Sequence, residues 1–297
     1  TYMIDGLPAQ QPERTREEVD YFVRYVKQLA DLDMNEKRKP QKGTFQVERE
    51  EQKYEWEVTT AGSTAGEHIK LAQTTSYSLM KLDEIGLHPK QLEQLQTIRD
   101  KKEGIFIVSG PAKSGVTTTF YAMIRSHDPF MNSVNTLEKN PGGELQNVTQ
   151  HVYTMTDSGS QSYARKLQSI LRMGPDVMGV AECEDGKTAE LACKAANDMK
   201  VVHLTIKAKS VMKALAKWIE LTPNRQLASQ KLLGLSNQRL IRILCDECKQ
   251  AYQPNSELLR KFNLPADKIQ VLYRPGEVEY TRTGKPIICE KCQGTGY

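Results

Sequence analysis

The stretch GPAKSGVTT, Gly110 to Thr118, carries the residues of this chain best suited to holding phosphate. A glycine-rich turn between a strand and a helix aims backbone N–H groups inward, and the helix N-terminus adds partial positive charge. The full pattern, G-x-x-x-x-G-K-[ST], also supplies a lysine for the β and γ phosphates and a hydroxyl for magnesium. Gly110, Gly115 and Thr117 fit it, and Pro111, Ala112, Lys113, Ser114 and Thr118 complete the candidate cradle, but the lysine position holds Val116. An isopropyl group neither donates a hydrogen bond nor carries charge. Losing a charge-assisted contact of roughly 1.5–3 kcal/mol weakens binding about ten- to a hundredfold. Lys113, three residues earlier, leaves two readings open: a relocated phosphate ligand or an exposed loop lysine.

Four of the six cysteines form two C-x-x-C pairs, Cys245 with Cys248 and Cys289 with Cys292. Two residues between thiolates let both reach one ion from a tight turn, and two such knuckles complete an all-sulfur zinc site. Two disulfides are the alternative, but nothing marks the chain as secreted. Cys183 and Cys193 lie in apolar segments and read as small buried hydrophobes.

These sites need elements to position them. Thr15 with Glu18 three residues on is a capping-box pattern, and Val19, Phe22, Val23, Val26 and Leu29 then recur at helical spacing as one buried stripe. TFQVER and YEWEVTT alternate at period two and read as a hairpin, HIKLAQ adds a strand, and a helix with Leu92 and Leu95 ends near Arg99. Beyond Lys101 strands and helices alternate: GIFIVS, TTTFYAMIRS, SYARKLQSILRM, PDVMGVAE, KTAELACKAA and KVVHLTI. That order predicts a covered, mainly parallel sheet. SVMKALAKWIEL and the segment through Arg242 are expected to continue as helices into the cysteine module.

The composition, 38% hydrophobic and 26% charged, with no apolar run near the roughly 20 residues of a membrane span, predicts a soluble chain. The chain opens at Thr1 without a basic or apolar leader, so no signal peptide is expected and an upstream domain has room. A formal charge of +4 on 297 residues is too small to mark general nucleic-acid binding. Lysines 200, 207, 209, 213 and 217 read as a solvated face without interleaved aromatics, so nucleic acid is not an expected partner.

Over essentially its whole length the sequence resembles the type II secretion and type IV pilus assembly ATPases. GPAKSGVTTT is similar to the family's G-P-T-G-S-G-K-T-T-T, and DLDMNEKRKPQKGTF to its entry motif. PDVMGVAECEDGKTAELACKAA is similar to P-D-x-[apolar]-G-E-I-R-D-x-E-T-A, and QRLIRILCDEC and CEKCQGTGY to the C-terminal signature. The resemblance implies an α/β architecture: a RecA-like P-loop NTPase domain at 99–297 that includes a tetracysteine zinc module at 243–297, after a smaller N-terminal α+β domain at 1–98.

The departures fall where nucleotide chemistry belongs. The family's catalytic glutamate matches Glu182, but its following arginine corresponds to Glu184. Its box T-I-E-D-P-V-E is similar to TLEKNPGGE, where Glu138 remains and Lys139 replaces the aspartate. The two histidines of its histidine box fall on Lys200 and Lys207, while His203 reads as a core histidine. Three arginines that reach over the nucleotide correspond to Thr44, Glu57 and Ala72. An arginine finger contributes roughly 10³–10⁵ in rate. The expectation is therefore a pseudo-ATPase with structural zinc, ATP and magnesium weak or lost, acting as an interaction or structural subunit. The alternative is a working motor using Lys113 and Glu182. By resemblance, the partners are secretion or pilus machinery, an inner-membrane platform protein or a catalytic paralogue, with a homo-oligomer or hexamer as assembly. The location implied is cytoplasmic, peripheral to the inner membrane.

Overall fold

The computed structural model describes residues 2–4, 7–9, 14–49, 52–64, 66–74, 80–154, 162–277, 279–284 and 286–297. The chain divides into two compact units, Pro12–Arg239 and a smaller one formed by Thr1–Gln11 with Leu240–Tyr297. In the smaller unit, β1 (Tyr2–Ile4) and β2 (Leu7–Ala9) pair as an antiparallel hairpin.

Helix α1 (Arg16–Leu29) opens the large unit with the expected capping box: the Glu18 N–H donates to Thr15 Oγ1 at 3.3 Å and the Thr15 N–H to Glu18 Oε2 at 2.9 Å. Three antiparallel strands follow in the order β3 (Gln41–Arg49), β4 (Gln52–Ser63) and β5 (Gly66–Thr74). Val26 and Ala30 pack on Val58, joined by Leu32, Phe45, Ile69 and Leu71. The helix end comes so close to the sheet that a Cβ on Gly43 would lie 2.5 Å from the Ala30 carbonyl oxygen.

Only part of the expected stripe is buried. Val19, Phe22 and Leu29 are 43%, 47% and 44% exposed, whereas Lys27 is fully buried. The narrow sheet covers the side of the helix that carries Val23, Val26 and Lys27, and the Lys27 ammonium is satisfied there by the Glu36 carbonyl oxygen at 2.7 Å and by the Glu67 carboxylate. Periodicity of apolar residues could not identify a buried lysine.

After α2 (Pro89–Arg99) come β6 (Gly104–Gly110), α3 (Val116–Arg125), β7 (Val134–Glu138), β8 (Thr149–Val152), α4 (Tyr163–Arg172), β9 (Val177–Val180), α5 (Gly186–Asn197), β10 (Val201–Lys207), α6 (Val211–Leu221), α7 (Arg225–Gln230) and β11 (Leu232–Asn237). The strands form one parallel sheet, ordered β11-β6-β10-β9-β7-β8. Ile105, Ile107, Met178, Val180, Val202, Leu204 and Ile206 pack with Leu167, Ala192 and Trp218 in one cluster. Phe106 and Val108 pack with Ala122, Met123, Leu82 and Leu95 in another. Both faces are therefore covered, which explains why these strands read as near-continuous apolar runs.

Two sequence expectations change. The segment after α7 is not helical: Leu232–Asn237 forms β11, an edge strand in parallel register with β6. That pairing is a long-range contact, invisible to local periodicity. The polar segment Val134–Glu138, read only as part of a motif, is the fully buried strand β7.

The smaller unit continues with β12 (Gln250–Tyr252), α8 (Ser256–Lys261), β13 (Leu272–Arg274), β14 (Glu279–Tyr280) and β15 (Pro286–Ile287), with β12 paired to β13 and β14 to β15. Among its described residues, the buried hydrophobic side chains are Cys245 and Leu259. So small a core calls for a covalent or metal staple. No described helix is long and apolar enough to cross a membrane.

His203, on β10, is fully buried, as read from the sequence, and its Nε2 lies 2.8 Å from Nε2 of the buried His127. One ring must donate and the other accept, so the two cannot both be protonated. Burial pushes His127 down to about 4, with Arg99 reinforcing and Asp100 opposing, and burial drives His203 well below its ordinary value. The unfolded chain takes up these protons near pH 6.5 while the folded chain refuses them, so stability falls as pH drops from about 6.5 towards 4. At pH 5 the loss from His127 is on the order of 2 kcal/mol. We expect the Tm to fall between pH 7 and pH 5, and His127→Gln, which keeps a polar partner for His203 but does not titrate, to flatten that fall. Identical pH slopes would disprove the assignment.

Candidate functional site

Strand β6 ends at Gly110 and α3 starts at Val116, so the turn between them has the predicted strand, turn and helix context. A Cβ on Gly110 would lie 2.1 Å from Ser114 Oγ and 2.9 Å from the Gln238 carbonyl oxygen, which is why this position needs glycine. Gly115, at φ +79°, precedes an α3 N-terminus with no side-chain cap. Ser114 is 4% exposed and its hydroxyl has no hydrogen-bond partner. The turn is pinned from behind: the Ala208 N–H donates to the Gly110 carbonyl at 3.1 Å, and Gln238 Nε2 donates to the Ser114 carbonyl at 2.9 Å. Gln238 was not singled out from the sequence, where a lone glutamine gives no signal.

Val116 packs against the cluster of Leu82, Leu95, Phe106 and Val108, so its side chain serves the core. Lys113 is exposed and sits at φ +61°, the left-handed region. Ala112 and Thr117 are exposed, and Pro111 and Thr118 are half-buried.

The carboxyl ends of β6, β10, β9 and β7 lie side by side, the edge where open α/β sheets bind ligands. Lys207 is the register partner of Gly110. Glu182 follows β9 at φ +58°, its N–H donating to Thr205 Oγ1 at 2.7 Å. Its carboxylate lies 3.0 Å from Lys207 Nζ and 4.0 Å from Lys139 Nζ, and Lys139 also reaches Glu184 at 2.6 Å. The Lys139 hydrogen bond holds the Glu184 carboxyl below its usual range, and the Glu182 hydrogen bond raises Lys207. Lys139 and Glu184 thus form a pair, whose sequence signal is opposite charges at two positions that both depart from the family pattern.

Glu138 is only 2% exposed. Its Oε2 accepts from Tyr121 at 2.6 Å, and its Oε1 from Thr136 at 2.8 Å and from Gln150 Nε2 at 3.2 Å. Burial first, and then this carboxylate, push the Tyr121 phenol far up. At the carboxyl edge of the sheet, the Glu138 carboxylate accepts three hydrogen bonds within the protein and the Glu182 carboxylate faces two ammonium groups.

Thr44, Glu57 and Ala72 form one cross-strand row of β3, β4 and β5, and Lys42 lies 2.9 Å from the Glu57 carboxylate. No arginine stands in that row. Lys200 does not join the site; it begins the turn into β10 and donates to the Pro175 carbonyl, seven residues and about 23 Å of strand from Lys207. Its departure from the family pattern therefore carries no weight for phosphate chemistry.

In the smaller unit, Cys245, Cys248, Cys289 and Cys292 bring their sulfurs within 4.8 Å of one another, with Cys245 to Cys289 at 3.9 Å and Cys248 to Cys292 at 3.5 Å. Tetrahedral zinc with bonds of about 2.3 Å requires edges of roughly 3.8 Å. The four thiols fit one metal ion, and all are free cysteines. Desolvation opposes ionisation of Cys292, yet the Gly296 N–H and the Cys248 thiol draw it down to about 6. Cys183 and Cys193 are buried, and burial pushes their thiols up to about 12 and about 11.

The left-handed Lys113 generates a direct test. An L-residue there is strained by about 1–2 kcal/mol, partly offset by the extra unfolded-state entropy of a glycine, about 0.5–1 kcal/mol. Lys113→Gly should raise the urea midpoint by up to about 1 kcal/mol of stability with an unchanged slope. A lower midpoint would show that the lysine side chain holds the turn.

A family model described as "Type II/IV secretion system protein" matches residues 1–297. The chain is 31% identical over 297 residues to the type II secretion system protein E of Dickeya dadantii (strain 3937), covering 100% of this chain and 57% of that protein. It is 28% identical over 297 residues to the type IV pilus assembly ATPase PilB of Thermus thermophilus, covering 99% of this chain and 32% of that protein. The chain spans about half the length, or less, of these curated relatives. Among solved structures it is similar to the Legionella pneumophila ATPase DotB, with a TM-score of 0.55 and 17% identity over 75% of this chain and 63% of that one. The pilus retraction motor PilT with bound ADP gives a TM-score of 0.50 and 22% identity over 69% and 60%. These last two likenesses speak to the fold alone, a parallel α/β sheet. On the whole-length match and the identity to its relatives, the chain belongs to the type II/IV secretion system protein family.

Proposed function

We propose that this protein is a degenerate secretion or pilus ATPase that has lost efficient hydrolysis and serves its machine as an interaction or structural subunit. The observation that carries this reading is the ion-paired Glu182, the carboxylate that the resemblance assigns to water activation. Its oxygens lie 3.0 Å from Lys207 Nζ and 4.0 Å from Lys139 Nζ, so two ammonium groups compete with a water for them. Val116 in the core and the arginine-free row Thr44, Glu57 and Ala72 support the same conclusion. An active motor relying on Lys113 and Glu182 is the competing reading, supported by the intact backbone of the turn.

We further propose a small N-terminal domain at 1–98 and a nucleotide-type domain at 99–297, with structural zinc on Cys245, Cys248, Cys289 and Cys292. A closed four-thiolate site leaves no open position for a substrate, so its contribution is to folding. The proposed partners are the inner-membrane platform or a catalytic paralogue, with a hexamer as the assembly implied by resemblance and a location at the cytoplasmic face of the inner membrane.

Steady-state turnover of ATP with magnesium decides between the readings. The expected result is no hydrolysis above background, with Val116→Lys improving nucleotide affinity about tenfold or more and still giving no turnover, since catalytic groups that act as a unit do not return singly. Wild-type turnover abolished by Lys113→Ala would establish the motor. Metal analysis should find one zinc per chain, and Cys289→Ser should lower the melting temperature of the Cys module; less than half an equivalent in protein never exposed to chelator would remove the zinc assignment.

A further inference from the structure

A cleft of about 350 Å³ opens in the large unit, away from the glycine-rich turn. Three pieces of chain wall it: the segment Lys81–Asp83, the last turn of α2 and the last turn of α3. Helix α3 begins at the glycine-rich turn and ends at the cleft, so its ten residues hold the two about 15 Å apart. The volume falls in the range of small-molecule sites, about 300–1,000 Å³.

The floor is apolar and fixed by the core, since Leu82 and Ala122 are buried in the cluster that also holds Leu95, Phe106 and Met123. The rim is basic. Lys81, Arg99 and Arg125 line it against one carboxylate, Asp83, and neither Lys81 nor Asp83 makes an ion pair among the described residues. Arg99 donates from Nε to Asp100 Oδ1 at 2.8 Å, while the two terminal nitrogens of its fork make no hydrogen bond among the described residues. Arg125 is anchored on the opposite wall, donating from Nη1 to the Met80 carbonyl at 3.3 Å. Helix dipoles account for part of this arrangement, because a cation in the last turn of a helix is stabilised there. They do not account for Lys81, which lies on no helix, nor for three cations from three elements lining one apolar-floored cleft.

We infer that this cleft binds a small organic anion, its carboxylate or phosphate oxygens held by Lys81, Arg99 and Arg125 and its apolar body resting on Leu82 and Ala122. The planar guanidinium fork matches both kinds of oxyanion, and two arginines with a lysine supply enough donors for one such group. Asp83 on the same rim works against a large polyanion, so the ligand carries one or two charges rather than a chain of them. The site stands apart from the glycine-rich turn, and the inference holds whether or not that turn hydrolyses ATP.

The test is a ligand-observed NMR titration of the whole chain with isophthalate and, separately, with phenyl phosphate, using benzyl alcohol as the uncharged control. The expected result is binding of at least one anion with a Kd below about 1 mM and of benzyl alcohol roughly tenfold or more weaker. The preferred anion tells a carboxylate ligand from a phosphate ester. Lys81→Gln and Arg99→Gln should each weaken anion binding about tenfold, while Lys207→Gln, at the glycine-rich turn, should leave it unchanged. Lys81 is exposed, so a loss in that variant reports on the ligand and not on folding. No binding of either anion at about 10 mM, or benzyl alcohol binding as tightly as the anions, overturns the inference. Binding unchanged in both cleft variants also overturns it, and a loss in Lys207→Gln would then place the probes at the turn.

Discussion

The parallel pairing of β6 with β10, in unbroken register from Gly104 opposite Val201 to Gly110 opposite Lys207, is the constraint on which the site depends. It places the first glycine of the turn beside the last residue of the central strand and makes the next backbone contact, Ala208 N–H to the Gly110 carbonyl, a continuation of the ladder. A slip of one residue would turn Lys207 to the other face and His203 with it. Strand β11 braces the other side of β6, and Gln238, just past its end, holds the Ser114 carbonyl. The turn is therefore positioned by two neighbouring strands, and its shape survives the loss of the lysine that the motif normally supplies.

The sheet handles its polar residues in two different ways. On β7, Glu138 is enclosed and accepts hydrogen bonds from Tyr121, Thr136 and Gln150. Glu182, just beyond β9, stays partly exposed and is compensated by lysines instead. Burial removes the first carboxylate from chemistry, and ion pairing quietens the second. The same economy recurs away from the site, where Lys27 is enclosed with Glu67 and His127 with His203. Each is a polar group that the fold tolerates only with its partner in place.

The smaller unit follows a different rule. Among its described residues Cys245 and Leu259 are the buried hydrophobic ones, far fewer than pack beneath the parallel sheet. Four sulfurs from two distant knuckles come within 4.8 Å of one another there, an arrangement that could hold one metal ion.

Much of this architecture was legible in the residues themselves. The capping box at Thr15 and Glu18, the alternating strands of the antiparallel sheet, the β-turn-α context of the phosphate loop and the paired C-x-x-C knuckles are short-range patterns whose geometry is set by local chemistry. Lys113, where the family motif that the turn resembles has glycine, adopts the left-handed backbone that glycine favours. Tertiary structure decided what local pattern cannot encode: that Leu232–Asn237 is a strand, that Val134–Glu138 is buried, that Lys27 faces inward while Val19 and Phe22 do not, and that Lys200 and Lys207 stand at opposite ends of one strand. It also decided that Lys139 meets Glu184 and that Lys207 meets Glu182. A side chain's charge is written in its sequence position, but its partner is chosen by strand order and register, which arise only when residues more than a hundred positions apart, such as Ser109 and Asn237, are brought into the same ladder.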